Sequence, residues 1–295
     1  MTKILKAEEF INEQVVNEMG MRVRNKNIQQ KMSDQLKKYN LVYNEETGLY
    51  DCDGDVKVEK DLVSPDGKLI VKFGVVKGNF NCSHNELTSL EGAPQEVGGD
   101  FSCSYNKLTS LEGAPQEVGG WFNCLRNQLT SLEGAPKEVG EDFDCSFNQL
   151  TSLEGAPQKV GTYFDCGVNK LTSLEGAPKE VGGDSDCYNN KLTSLVGAPQ
   201  KVGGSFRCSK NQLTSLEEAP KEVGESFNCR YNKLTSLEGA PQEVGGDFYC
   251  DNNDNLVFDE IHFYGCLPDV IGGELVAGDD CDYELAKEYY VKNKI

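Results

Sequence analysis

Residues 101–121 read FSCSYNKLTSLEGAPQEVGGW, and residues 122–142 repeat the pattern as FNCLRNQLTSLEGAPKEVGED. The same unit, Phe-x-Cys-x-x-Asn-x-Leu-Thr-Ser-Leu-Glu-Gly-Ala-Pro-x-x-Val, can be followed through the cysteines at 82, 103, 124, 145, 166, 187, 208, 229 and 250, each 21 residues after the last. Leu-Thr-Ser-Leu is identical from Leu87–Leu90 to Leu234–Leu237. A fixed period of this length marks a repeat architecture, in which each unit is too small to bury its own apolar face and does so against its neighbours. One cysteine per turn is a stacked core position and not a cross-linking pattern. Side chains on parallel strands stand about 4.8 Å apart, beyond the Cβ separation of about 3.5–4.5 Å that a disulfide needs, so these thiols are expected to be free.

Within the unit, Phe and Cys alternate with polar residues, so a short strand points Phe and Cys inward and the residue between them outward. Asn106 and its equivalents fall where the chain turns in, and their amides are placed to satisfy buried main-chain groups as a polar ladder. The return path, with Pro, Gly and no helical spacing, is expected to be extended or polyproline-like. Phe101, Cys103, Asn106 and Leu108 fit the signature L-x-x-L-x-L-x-x-N/C-x-L, which predicts a β-rich solenoid, a leucine-rich-repeat array. Ser185 stands where the other turns carry Phe, so the aromatic stack should break between Phe164 and Phe206.

The Asn-x-Leu-Thr-Ser-Leu run over residues 79–253 resembles the short repeats of bacterial leucine-rich-repeat effectors of the IpaH and YopM type. It departs from them in having one more residue per turn and a Glu in place of the Pro after the second Leu. The Cys-bearing 21-residue unit also resembles repeat proteins encoded by bacteriophages. Effectors of the IpaH type carry a ubiquitin-ligase domain after the repeats; the roughly 40 residues beyond this array are too few for one.

Outside the array, Val56-Lys57-Val58 has the strand alternation and is expected to form a degenerate opening turn. Pro268 and Ile271 to Ala277 match Pro241 and Val244 to Cys250 at an offset of 27, and Asp282 to Asn293 has the spacing of a closing helix. The expected organisation is a helical, partly basic segment over 1–40, a β-rich cap over 41–78, the array over 79–253, and a degenerate last turn with a helical cap over 254–295. Ala7 to Met19 reads as an amphipathic helix, and Arg22 to Lys38 holds six basic side chains against one acidic. Glu8-Glu9-Phe10-Ile11-Asn12-Glu13 resembles the N-terminal capsid-targeting tag of bacteriophage internal head proteins.

With 48 acidic against 29 basic side chains and a formal charge of −19, the chain repels a nucleic-acid backbone. Its start lacks the apolar core of a secretory signal, and no apolar run of about 18 residues occurs, so a soluble, cytoplasmic protein is expected, in the host cytoplasm if phage-encoded. The two histidines, His84 and His262, are not brought together by the repeat, which leaves a Cys–His nucleophile unsupported. A linear column of thiols diverges where zinc wants four converging ligands, and the Gly-Gly-Asp pairs lack the rest of a calcium repeat signature. No enzyme activity, metal or cofactor is expected.

Variation between turns points to binding. The Thr-Ser of the return path hardly changes, while the column after the strand runs His84, Tyr105, Arg126, Phe147, Val168, Asn189, Lys210, Tyr231 and Asn252. The column before the strand adds Trp121 and Tyr163. Between Phe and Cys stand Asp144, Asp165 and Asp186, three like charges that repel unless a cation or basic partner compensates, followed by Arg207. After Cys come Tyr188 and Arg230. Aromatic and Arg side chains dominate protein-binding hot spots. The reading is a non-enzymatic scaffold that binds another protein, with a basic or mixed surface, through Tyr105, Trp121, Arg126, Asp144, Phe147, Tyr163, Asp165, Asp186, Tyr188, Arg207, Arg230 and Tyr231, centred on turns two to five. No nucleic acid or membrane is expected as partner. A structural virion or internal head component, a rigid acidic spacer, and an acidic mimic of DNA are the alternatives.

Overall fold

The computed structural model describes residues 33–34, 36–257 and 267–278. The expected N-terminal helix and targeting tag, the closing helix and His262 lie outside them. The described residues fall into two compact units, one of those up to 128 with 134–136, and one of 129–133 with those from 137 onward. Each is a β-solenoid with two parallel ladders.

In the first unit the inner ladder pairs Val56–Lys57 with Phe80–Asn81, Phe101–Ser102 and Phe122–Asn123 in turn. Val56 therefore does open the array. Ahead of it, Val42–Asn44 and Leu49–Cys52 form an antiparallel hairpin whose second strand joins the return-path ladder against Phe73–Val76. In the second unit the inner ladder runs from Phe143–Asp144 to Phe248–Tyr249 and ends on Leu275–Val276, with Phe248 opposite Leu275, the offset of 27 read from the sequence.

The return path is extended but is more than a polyproline-like strut. Glu96–Val97 pairs with Glu117–Val118, and Lys159–Val160 with Glu180–Val181, as two-residue strands of a second ladder. Its Val residues face inward (Val160 is 1% exposed), so the return path contributes to the core; the Glu-Val alternation, too short to stand out as a strand, was its signal.

The core is the stack of Phe, Cys and the two Leu of each turn, almost all at 0–2% exposure. Rings of neighbouring turns lie parallel, with centroids 5.0 Å apart for Phe101 and Phe122 and 5.7 Å for Phe206 and Phe227. Ser185, buried at 2%, is the strand partner of both Phe164 and Phe206, where the sequence placed the break. The ten described cysteines are buried, and burial pushes the Cys82 thiol up to about 12.

Three features set the pitch of the coil. The Asn ladder is as expected. Asn169 Oδ1 accepts from Leu150 N–H at 3.0 Å, and its Nδ2 donates to the carbonyls of Cys145, Cys166 and Gly167 at 3.1–3.2 Å. A second ladder, absent from the sequence reading, precedes the strand. Asn79 accepts from Asp100 N–H, Asp100 from Trp121 N–H, Asp142 from Tyr163 N–H and Asp184 from Ser205 N–H, at 2.8–3.1 Å. The Asp of Gly-Gly-Asp thus bonds the main chain of the next turn. The third feature is the glycine after Val: a Cβ on Gly182 would lie 2.0 Å from the carbonyl oxygen of Gly161, and one on Gly119 2.2 Å from that of Gly98.

Candidate binding face

Each turn delivers one side chain outward just past the strand, and in all nine turns that residue has left-handed backbone, φ between 53° and 59°. The cause is local. Main-chain hydrogen bonds fix the residue to the next turn, as in Tyr105 N–H to Leu125 O at 2.9 Å, while the Asn that follows bends the chain into the core. Asn tolerates this region and occupies it at 189 and 252; Tyr, Arg, Phe, Lys and above all the β-branched Val168 do not favour it.

In the first unit this column forms a continuous platform. The His84 and Tyr105 rings stack at 4.3 Å with 16° between planes, and the Arg126 guanidinium lies 5.4 Å from the centre of the Tyr105 ring. Tyr105 is 41% exposed and Arg126 is exposed, while Trp121 is half-buried. Trp121 stands in the column of Asn79 and Asp100, where its indole has no oxygen to accept a ladder bond.

The second unit arranges its predicted residues differently. Phe147 (36% exposed) and Tyr231 (51%) are outward, and Lys210 stands 6.0 Å from the Tyr231 ring. Arg230 pairs with Asp251 through its Nε and lies over Tyr249 at 4.4 Å, which ties it to its own surface. The three stacked aspartates are not presented to solvent as the alternation implied. Asp165 is 8% and Asp186 6% exposed, and Asp144 is half-buried. Tyr163 reaches back over both, its Oη 3.0 Å from Asp165 Oδ2 and 2.8 Å from Asp186 Oδ2. Gly167 leaves the space that Tyr188 fills, a Cβ at 167 falling 2.4 Å from Tyr188 Cε1.

The charges are compensated internally. Arg207 Nη1 lies 3.0 Å from Asp186 Oδ1 and 2.9 Å from Asp184 Oδ2, Gly167 N–H donates to Asp165 Oδ1 at 2.7 Å, and Asp144 Oδ1 accepts from Ser146 N–H at 2.9 Å and Ser146 Oγ at 2.6 Å. Burial, then the charges of Asp144 and Asp186, pushes the Asp165 carboxyl up to about 7 against the pull of Gly167 N–H. Among the described residues no group of three or more His, Cys, Asp and Glu is placed to hold a metal ion, and no helix is long and apolar enough to cross a membrane.

No protein-family model matches the sequence, and no curated protein does. Among solved structures the chain is similar to YopM from Yersinia enterocolitica WA-314, at a TM-score of 0.50 and 21% identity over 76% of this chain. The match spans 55% of that chain, about half its length. The chain thus has the leucine-rich-repeat solenoid fold that the 21-residue period indicated.

Proposed function

We propose that this chain is a non-enzymatic protein-binding scaffold that holds its partner on the strand face, with the His84, Tyr105 and Arg126 platform as its anchor in the first unit. The observation that carries this reading is the stack itself. Two rings and a guanidinium are kept at the surface on left-handed backbone, where the fold would be better served by Gly or Asn. The partner expected is a protein of basic or mixed surface, in keeping with the charge of −19. The repeat style supports a phage-encoded protein acting in the host cytoplasm on a host or defence protein.

The test is quantitative capture of a host protein by the tagged full chain, followed by titration with variants. Tyr105→Ala combined with Arg126→Ala should weaken binding by at least ~2 kcal/mol, the scale of hot-spot residues, with the fold unchanged by circular dichroism. Glu112→Gln with Glu154→Gln, on the return side, should leave affinity within about twofold. Loss of binding in the second pair and not the first would overturn the strand-face reading. Competition by duplex DNA would favour a DNA mimic, and no stoichiometric partner a structural rod.

A further inference from the structure

Asp165 and Asp186 are direct strand partners in the second unit, both more than nine-tenths buried. Tyr163 Oη stands at hydrogen-bond distance from one oxygen of each. A phenol has a single hydrogen, so it donates to one carboxylate only. If both aspartates were ionised, the other contact would set lone pair against lone pair in a buried site, which is strongly unfavourable.

The remaining contacts decide where a second hydrogen sits. Burial raises the Asp186 carboxyl as well, but the Arg207 guanidinium at 3.0 Å opposes it and favours the ionised form there, a counter-charge that Asp165 lacks. Asp165 Oδ1 is occupied by Gly167 N–H at 2.7 Å, which leaves its Oδ2, facing Tyr163, to carry hydrogen. We propose that Asp165, Tyr163 and Asp186 hold one resident proton in a directed chain, Asp165 Oδ2–H to Tyr163 Oη and Tyr163 Oη–H to Asp186 Oδ2, and that losing this proton unfastens Tyr163 from the strand face. The proton takes the place of the cation that three stacked aspartates would otherwise demand.

The titratable and charged groups facing the chain come from every neighbouring turn. Asp144 is the strand partner of Asp165, Asp184 shares Arg207, the Cys166 and Cys187 thiols lie inward, and Tyr188 covers Gly167. Apart from Arg207 these groups are anionic or neutral, so they oppose a second charge on the pair. Burial and the Asp144 and Asp186 charges raise Asp165 to about 7, well above the ordinary ~3.9 for Asp. A raised carboxyl means that the folded chain binds a proton the unfolded chain releases. Its contribution to stability is full below the unfolded value and is lost as pH rises through about 7.

The experiment is a carboxyl carbon-13 NMR titration of the full chain with labelled aspartate, beside thermal unfolding from about pH 5 to about pH 8, a span that brackets the Asp165 transition. One aspartate should titrate near neutrality with the Tyr163 ring resonances moving in step. Asp165→Asn replaces the O–H by an amide N–H, keeps the chain without the proton, and should flatten the fall in melting temperature relative to wild type. Tyr163→Phe removes the bridge and should shift the titration of Asp165. Titration of Asp165 in the ordinary carboxylate range, or a pH profile of Asp165→Asn parallel to that of wild type, would overturn the proposal. Neither readout depends on a binding partner.

Discussion

The sharpest test of the coil geometry is Gly182→Ala. Its φ is outside the left-handed region, so the backbone accepts alanine without conformational penalty, and the usual gain of about 0.4–1 kcal/mol from a less flexible unfolded chain would apply if space allowed. Space does not allow it. The new Cβ would lie 2.0 Å from Gly161 O and 3.0 Å from Gly161 C, both main-chain atoms of the turn below, and a carbon–oxygen contact relaxes only at about 3.3 Å. The two turns must part by more than about 1 Å, which breaks the bonds from Gly182 N–H to Val160 O (3.3 Å) and Gly183 N–H to Thr162 O (2.7 Å). At about 0.5–1.5 kcal/mol per bond and about 1–3 kcal/mol for overpacking, the loss should be roughly 3 kcal/mol. Urea denaturation measures it, with Gly54→Ala, where a Cβ meets nothing within 4 Å, as control. If the two variants are equally stable, close approach of turns is not what holds glycine in this column.

Ser185→Phe should raise stability by about 1–3 kcal/mol by completing the stack between Phe164 and Phe206, read as a higher unfolding midpoint; a lower midpoint would mean that neighbouring side chains already fill the space. Glu218 stands where the other turns carry left-handed Gly and has φ 66°, so Glu218→Gly should stabilise by up to about 1 kcal/mol, the relief of left-handed strain less the entropy of glycine; destabilisation in thermal melts would refute that.

The 21-residue period alone makes the core legible. Phe, Cys and Leu recur at positions that only stacking satisfies, and Asn106 and its equivalents had one plausible employment, the bonding of buried main chain. The ladder of Asn79, Asp100, Asp142 and Asp184 was equally visible as a column of short polar residues ahead of the strand, but solvated aspartate offers an easier explanation, and only the 2.1 Å that would separate a Gly120 Cβ from Asp100 Oδ1 shows the carboxylate bent back over the chain. The aspartates at 144, 165 and 186 misled for a different reason. Alternation assigns a residue to a face, not to solvent, and a neighbouring Tyr163 with a gap at Gly167 is enough to roof that face over. The left-handed column left no trace in residue type, because His, Tyr, Arg, Phe and Val are what a surface strand would carry anyway.

That last mismatch bears on function. A left-handed L-residue costs about 1–2 kcal/mol, and the coil can afford it because the adjoining Asn makes several buried bonds worth about 1 kcal/mol each, all of them to main chain. The bonds of Asn169 would form whatever side chain stood at 168. The fold therefore requires a left-handed residue at this point and is indifferent to its side chain, so Gly or Asn is the stable choice. Tyr105, Arg126, Phe147 and Tyr231 are less stable choices that expose aromatic or cationic surface. Had the outward residues served only to keep a rod in solution, Asn would meet that need at lower cost, as it does at 189 and 252. Large side chains on strained posts, with two rings and a guanidinium stacked in the first unit, are the observation on which the proposed strand-face binding rests.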